Sequence, residues 1–449
     1  MDQAAMPGQQ QRDAGHQSSL NDKPLNWTWQ RWHLWLLIIG FLLRLVFCLM
    51  IDKESSFGGW DGKEYHAYAQ SLLALKWDNY PRYFNNIRPP FYPFFLVPFV
   101  ALNDQVVWHI QLAQAILGIL QAIILAKIAG RWAGQQAGNW AFILVLFHPF
   151  LIYNSAFILT ETLFITLLWL GLLCLQRLDE RPPNHERRWL VLSALTLGLA
   201  CLTRPALQPF LVVAVLWVGW RIWSWSNGLS ALKRMAYFTC LVSVLLLPLM
   251  IANYRVHGEF SLAPGSGQTA YAFSNSSEYL RMYEAETKEE YYQIFEHLVA
   301  RFSVKSGNTP QIWMEMAREF RQNHSADWWR LQWYKFKHFW TPWLNPVIFS
   351  RSNFIISLFT ATPIFLLAAA ELFRRRAAFD PFLLLLLGLV GVGYLVGGFL
   401  FHAQVRYRIP FVDVTFIILT ASFLGQLTLK RMSELKLARL LRPVKASLL

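Results

Sequence analysis

The sequence predicts an all-α polytopic membrane protein with about ten transmembrane helices, and two observations carry that prediction. Of its 449 residues, 55% are hydrophobic and only 15% charged, too little polar surface to cover a soluble domain of this size. The apolar residues also run in blocks near or above the roughly 20 needed to cross a bilayer core, such as Trp35 to Met50 and Met235 to Ile251.

The formal charge of +14 does not call for nucleic acid, because the basic residues fall in short clusters between apolar blocks rather than on one face. Placing each cluster on the cytoplasmic side gives a path with consistent parity. The first span, Trp35 to Ile51, leads outward, and the second, near Val106 to Ile128, returns to Lys127 and Arg131. A third, Asn139 to Asn154, goes out, and a fourth, Glu161 to Leu178, returns to Arg177, Arg181, Arg187 and Arg188. Spans five and six form a hairpin, Trp189 to Trp220, with its outer turn at Thr203-Arg204-Pro205. Span seven, Met235 to Asn253, exits to a long polar segment; span eight ends at Arg374-Arg375-Arg376, span nine runs from Phe382 to near Phe401, and span ten descends from Ile409 to Lys430-Arg431. Both termini are expected in the cytoplasm.

Two outer segments do not read as spans. The run from Arg88-Pro89-Pro90-Phe91-Tyr92-Pro93 to Leu102 is apolar but punctuated by proline, so it reads as a helix at or dipping into the interface. Farther on, Trp329, Trp333, Phe336 and Trp340 share one helical face with Arg330 and Lys337 turned away, a pattern suited to lipid headgroups. Cys48, Cys174, Cys201 and Cys240 all lie in apolar blocks and are expected as small buried hydrophobes, with no disulfide framework and no sulfur-based metal site.

Tyr65, Tyr68, Ala69, Leu72 and Leu73 form one stripe of an amphipathic interfacial helix with Asp61 near its N-terminus. Asp61 is either a helix cap or a carboxylate held outside the membrane to deprotonate an acceptor hydroxyl or amine. Glu161 opens span four after an apolar stretch, where a carboxylate lines a cavity or partners an arginine. His148, beside Pro149, reads as a polar helix terminus, and no His, Asp or Glu spacing argues for a metal.

The order of segments then carries a resemblance. The Asp61 helix is followed by Arg88-Pro89-Pro90-Phe91-Tyr92-Pro93, His148-Pro149, Leu159-Thr160-Glu161-Thr162-Leu163-Phe164, Gly198 to Pro205, and Arg406-Tyr407-Arg408-Ile409-Pro410. This series resembles the GT-C membrane glycosyltransferases, in the branch with bacterial relatives of protein O-mannosyltransferases and the lipid A aminoarabinose transferase. The resemblance implies a GT-C-type bundle with interfacial helices in the first outer loop and a long helical outer loop. It implies that Asp61 is the catalytic base. Many relatives carry an adjacent Asp-Glu pair, whereas here Gly62 follows Asp61 and the next carboxylate is Glu64; Glu64 and Glu161 stand as further catalytic candidates.

Transfer of this kind needs a held phosphate, and a guanidinium offers two coplanar donors with permanent charge. Arg88 and Arg204 fit that role, supplemented by Arg406; each also reads as an interfacial anchor. The expected partners are a polyprenyl-phosphate-linked sugar donor, a lipid, glycan or protein acceptor, and membrane lipids, with no nucleic acid. No cofactor is expected, since the donor is itself a substrate and no nucleotide-binding motif is present. A transporter or flippase of lipid-linked glycans is the rival reading, using the same basic residues without a base. The expected organisation is a disordered cytoplasmic tail over 1–30, a first transmembrane part over 31–253 with the catalytic loop at 52–105, an outer helical loop over 254–350, a second transmembrane part over 351–429 and a basic cytoplasmic tail over 430–449. The expected location is a bacterial inner membrane with the active site facing the periplasm or outside.

Overall fold

A computed structural model describes residues 27–440 apart from 78, 83–86, 103–106, 180–185, 225, 304–305, 308 and 378–379, with side chains up to 434. Most of the expected disordered tail, and the end of the basic one, lie outside the described residues. Trp27 is an exception and a correction to the tail boundary. It is buried, donates from Nε1 to Asn139 Oδ1 at 2.9 Å, and lies flat enough on Gly130 and Gly138 that a Cβ at either would meet its side chain.

The described residues are α-helical, with short 3-10 and π segments. The helices are α1 (Arg31–Met50), α2 (Trp60–Leu73), α3 (Phe91–Leu102), α4 (Val107–Ala133), α5 (Gln135–Phe147), α6 (Pro149–Ala156), α7 (Glu161–Gln176), α8 (Glu186–Thr203), α9 (Gln208–Trp223) and α10 (Gly228–His257). There follow α11 (Ser266–Ser274), α12 (Ser277–Glu284), α13 (Lys288–Arg301), α14 (Pro310–Asn323), α15 (Ser325–Trp340), α16 (Arg351–Arg375), α17 (Pro381–Tyr394), α18 (Val405–Arg408) and α19 (Val414–Leu440).

All ten expected spans are helical. Among the described residues, seven helical segments are long and apolar enough to cross a membrane, and the bent pair α5–α6 makes an eighth. The other two expected spans are marginal for identifiable reasons: α7 has only 16 residues, and α8 opens on Glu186-Arg187-Arg188. The third span is not the single rod expected. Pro149 lacks an amide hydrogen and crowds the preceding turn, and the chain bends by 49° between α5 and α6. The break strands carbonyls inside the bundle, and the fully buried Arg44 of α1 answers them, donating to Leu146 O at 2.8 Å and Val145 O at 3.3 Å. His148 is the buried residue at the break, a polar terminus as the sequence suggests.

The main core is formed by α4, α5, α7, α8, α9, α17 and α19, with Phe142, Phe164, Trp169, Phe210 and Leu386 at its centre. Helices α11 to α15 enclose a second core around Phe273, Tyr279, Phe302, Trp313 and Leu331. They dock on the π segment Leu395–Leu400, whose irregular turn frees backbone carbonyls. Asn275 Nδ2 donates to Leu400 O at 2.9 Å, and the buried Lys335 donates to Asn275 Oδ1 at 3.0 Å and Phe399 O at 3.3 Å. On α15, Trp329, Trp333 and Phe336 are exposed as the stripe predicts, while Trp340 turns into the main core. Cys48, Cys174 and Cys201 are buried; Cys240 is exposed, against expectation, because its side of α10 faces away from the bundle.

Candidate active site

The first loop is built to present α2. Three buried glutamines of α4 hold the irregular turn between α6 and α7: Gln114 Nε2 donates to Phe157 O at 2.7 Å, Gln111 Nε2 to Ala156 O at 2.9 Å, and Gln121 Nε2 to Thr162 O at 2.9 Å. Ile158 N then donates to Ser56 O at 2.8 Å, tying that turn to the segment just before α2. Gly62 sits at the junction. A Cβ there would overlap the Phe57 carbonyl oxygen and lie 2.9 Å from that of Ile158, so no side chain fits. That close approach explains why Asp61 is followed by glycine and not by a second carboxylate.

On α2, Tyr65, Tyr68, Ala69 and Leu72 are buried as the stripe predicts, whereas Leu73 is exposed at the helix end. Tyr65 packs edge-on against Tyr92 of α3 at 5.1 Å. Asp61 and Glu64 stand three residues apart on the same side of the helix, within reach of one partner. That partner is Arg88, just before α3, which donates Nη2 to Asp61 Oδ1 at 2.7 Å and Nε to Glu64 Oε2 at 2.6 Å. The second Asp61 oxygen, Oδ2, accepts from Arg406 Nη2 of α18 at 2.6 Å. Arg406 Nε in turn lies 3.1 Å from Glu161 Oε1 at the start of α7, and Arg204 Nη2 lies 3.2 Å from the same oxygen.

All six residues singled out from the sequence therefore meet in one alternating row: Glu64, Arg88, Asp61, Arg406, Glu161, Arg204. The row is most accessible in the middle, where Arg406 and Asp61 side chains are 29% and 21% exposed, against 5% for Glu64 and 1% for Glu161. Glu161 is close to two guanidinium groups, yet both its oxygens are buried without a hydrogen bond, as is Arg406 Nε. The ion-pair distances alone overstate how well that end is satisfied.

Electrostatics follow from the row. Burial alone would raise the Asp61 carboxyl, but Arg88 and Arg406 outweigh it and hold the group well below the usual carboxylate range. Burial would ease the proton off Arg88; Asp61, Tyr65 and Glu64 hold it on more firmly than usual. Burial, partly offset by Arg88, pushes the Tyr65 hydroxyl up to about 12. The carboxylates face guanidinium groups, and among the described residues no three His, Cys, Asp or Glu side chains gather as metal ligands.

Residues 87–251 match the family model described as dolichyl-phosphate-mannose-protein mannosyltransferase. The chain is similar to that family. The matched stretch contains Arg88, Glu161 and Arg204, and it agrees with the GT-C-type resemblance of the ordered motifs. Among solved structures, the archaeal oligosaccharyltransferase AglB from Archaeoglobus fulgidus, in complex with an inhibitory peptide and a dolichol-phosphate, has 12% identity and a TM-score of 0.46. That match covers 90% of this chain and 52% of the other, so this chain spans about half its length. ArnT from Cupriavidus metallidurans bound to undecaprenyl phosphate has 15% identity and a TM-score of 0.40, covering 92% of this chain and 81% of that one. No curated protein matches.

Sequence reasoning missed Tyr407, whose ring lies 5.1 Å from both the Arg204 and the Arg406 guanidinium carbons and so spaces the two cations apart. Arg406 and Arg408 look alike in the sequence but do different work. Two residues apart on a helix, they point to opposite sides. Arg408 is fully buried, binds Asp413 at 2.7 Å, and donates to the carbonyls of Phe339, Thr341 and Pro342, tying the end of α15 to the last span.

Proposed function

We propose that the chain is a membrane glycosyltransferase that moves a sugar from a polyprenyl-phosphate carrier to an acceptor on the non-cytoplasmic face. The observation that carries this reading is the convergence of three arginines and three carboxylates, from five separate stretches of chain, on one partly exposed row. Arg88, Arg204 and Arg406 supply permanent positive charge for the carrier phosphate and for the charge that grows on it as it leaves. Asp61, the most accessible carboxylate of the row though half-buried, takes the acceptor's proton. Glu64 and Glu161, both buried, orient Arg88 and the Arg204–Arg406 pair. The similarity to a family described by its lipid-phosphate mannose donor supports a lipid-phosphate sugar here as well.

In the transfer, the acceptor atom forms a bond to the anomeric carbon as the bond from that carbon to the phosphate oxygen breaks. The electron pair leaves on the phosphate among the arginines, and the proton goes to Asp61. Mass analysis of cell-envelope glycans and glycolipids, with and without the gene, tests the reading. One sugar increment is expected to vanish from an envelope component when the gene is deleted, to return with the wild-type gene, and to stay missing with Asp61→Asn. An unchanged profile in the deletion strain would contradict it.

A further inference from the structure

Asp61 is held in a way that conflicts with a resting base. Its two oxygens are taken separately, Oδ1 by Arg88 at 2.7 Å and Oδ2 by Arg406 at 2.6 Å. Among the described residues, the other charged or titratable groups around Asp61 and its two arginines include Glu64 and Tyr65 on its own helix, Glu161 and Arg204 at the far end of the row, Tyr407 beside Arg406, Tyr153 of α6, and His402 ahead of α18. Two charge-assisted bonds favour the ionised carboxylate strongly over the protonated one. Yet the cations that hold Asp61 are the ones assigned to the donor phosphate.

We infer that Asp61 and the carrier phosphate compete for Arg88 and Arg406, so that Asp61 takes the acceptor's proton only once the phosphate has docked. This rests on the transferase reading above and adds an order to it: donor first, proton transfer second. Arg406 is the point of exchange. It is the most exposed member of the row, and it holds Asp61 through Nη2 alone while its Nε makes no hydrogen bond. A phosphate that draws this guanidinium away leaves Asp61 Oδ2 open, in the exposed middle of the row, to a hydroxyl or amine. Even if neither guanidinium moves, a second anion beside the same two cations makes protonation of Asp61 easier, so the sign of the coupling is the same.

Coupling of this kind is reciprocal: if docked phosphate favours a proton on Asp61, then a neutral Asp61 favours phosphate. The test is binding of a polyprenyl methyl phosphodiester, which has no titrating group of its own near neutrality, to the full-length protein in nanodiscs. Asp61→Asn is expected to bind this probe at least about fivefold more tightly than wild type at neutral pH, the lower end of typical coupling. Asp61→Ser, which also removes the charge, is expected to behave as Asn does. Equal or weaker binding by both variants overturns the competition and leaves the transferase reading standing. If wild type binds the phosphodiester no better than the phosphate-free polyprenol, the transferase reading falls and the competition with it.

Discussion

Arg204 shows how a single residue can be read at two levels. Its placement in a tight apolar hairpin made it conspicuous, because a charge there needs a reason. Its surroundings supply one: Glu161 Oε1 at 3.2 Å, the Tyr407 ring at 5.1 Å and the Phe164 ring at 5.7 Å. A flat, charged group packed between rings is oriented before any ligand arrives, which favours arginine over the rounder ammonium of lysine. Arg204→Lys is therefore expected to keep part of the activity. Arg204→Ala is expected to raise the donor concentration needed for half-maximal rate by about tenfold or more, the usual worth of a charged hydrogen bond. A well-folded Arg204→Ala protein working at the original rate across donor concentrations would remove Arg204 from the site. Gly62 is the opposite case, since its importance lies in a contact with Phe57 and Ile158 that sequence spacing cannot report.

Among the elements, the helices of the long segment before α16 dock through a buried lysine. Lys335 is fully buried on α15, and burial lowers its ammonium to about 7. In the unfolded chain it keeps its proton up to about pH 10.4, so between about 7 and 10 the unfolded state binds more protons and stability rises with pH. Below about 7 both states are protonated and the cost of burial is constant. Thermal unfolding of the full-length protein is expected to shift upward from about pH 7 to about 9.5, with Lys335→Met losing that part of the slope. An identical slope in Lys335→Met would exclude Lys335 as its source. These helices were also where the sequence was least informative about position. The Trp329, Trp333 and Phe336 stripe was legible from its 3.6-residue period, but the docking of Asn275 and Lys335 onto a π segment was not. That contact depends on carbonyls freed by an irregular turn, and hydropathy does not register them.

At the scale of the whole molecule, the alternation of basic clusters was enough to put Asp61, Glu64, Arg88, Glu161, Arg204 and Arg406 at one end of the bundle. It was not enough to pair them. Which guanidinium meets which carboxylate is decided by the Pro149 break, the glutamines of α4 and the opposite facing of Arg406 and Arg408, all of them tertiary. Trp27 was missed for the same reason, because only packing on Gly130 and Gly138 separates it from a polar tail. The proposed enzyme and a carrier of lipid-linked glycans part at Asp61: a carrier needs the arginines but gains nothing from a base. Asp61→Asn keeps the size and the capping ability of the residue and removes its charge. The decisive measurement is sugar transfer by purified protein in detergent, wild type against Asp61→Asn, with donor binding followed on the same samples. Wild type is expected to transfer, and the variant to bind donor at least as well yet transfer about a hundredfold more slowly or worse, the usual contribution of a general base. Transfer at the wild-type rate by Asp61→Asn, or none by wild type under conditions where it binds the donor, would contradict the account.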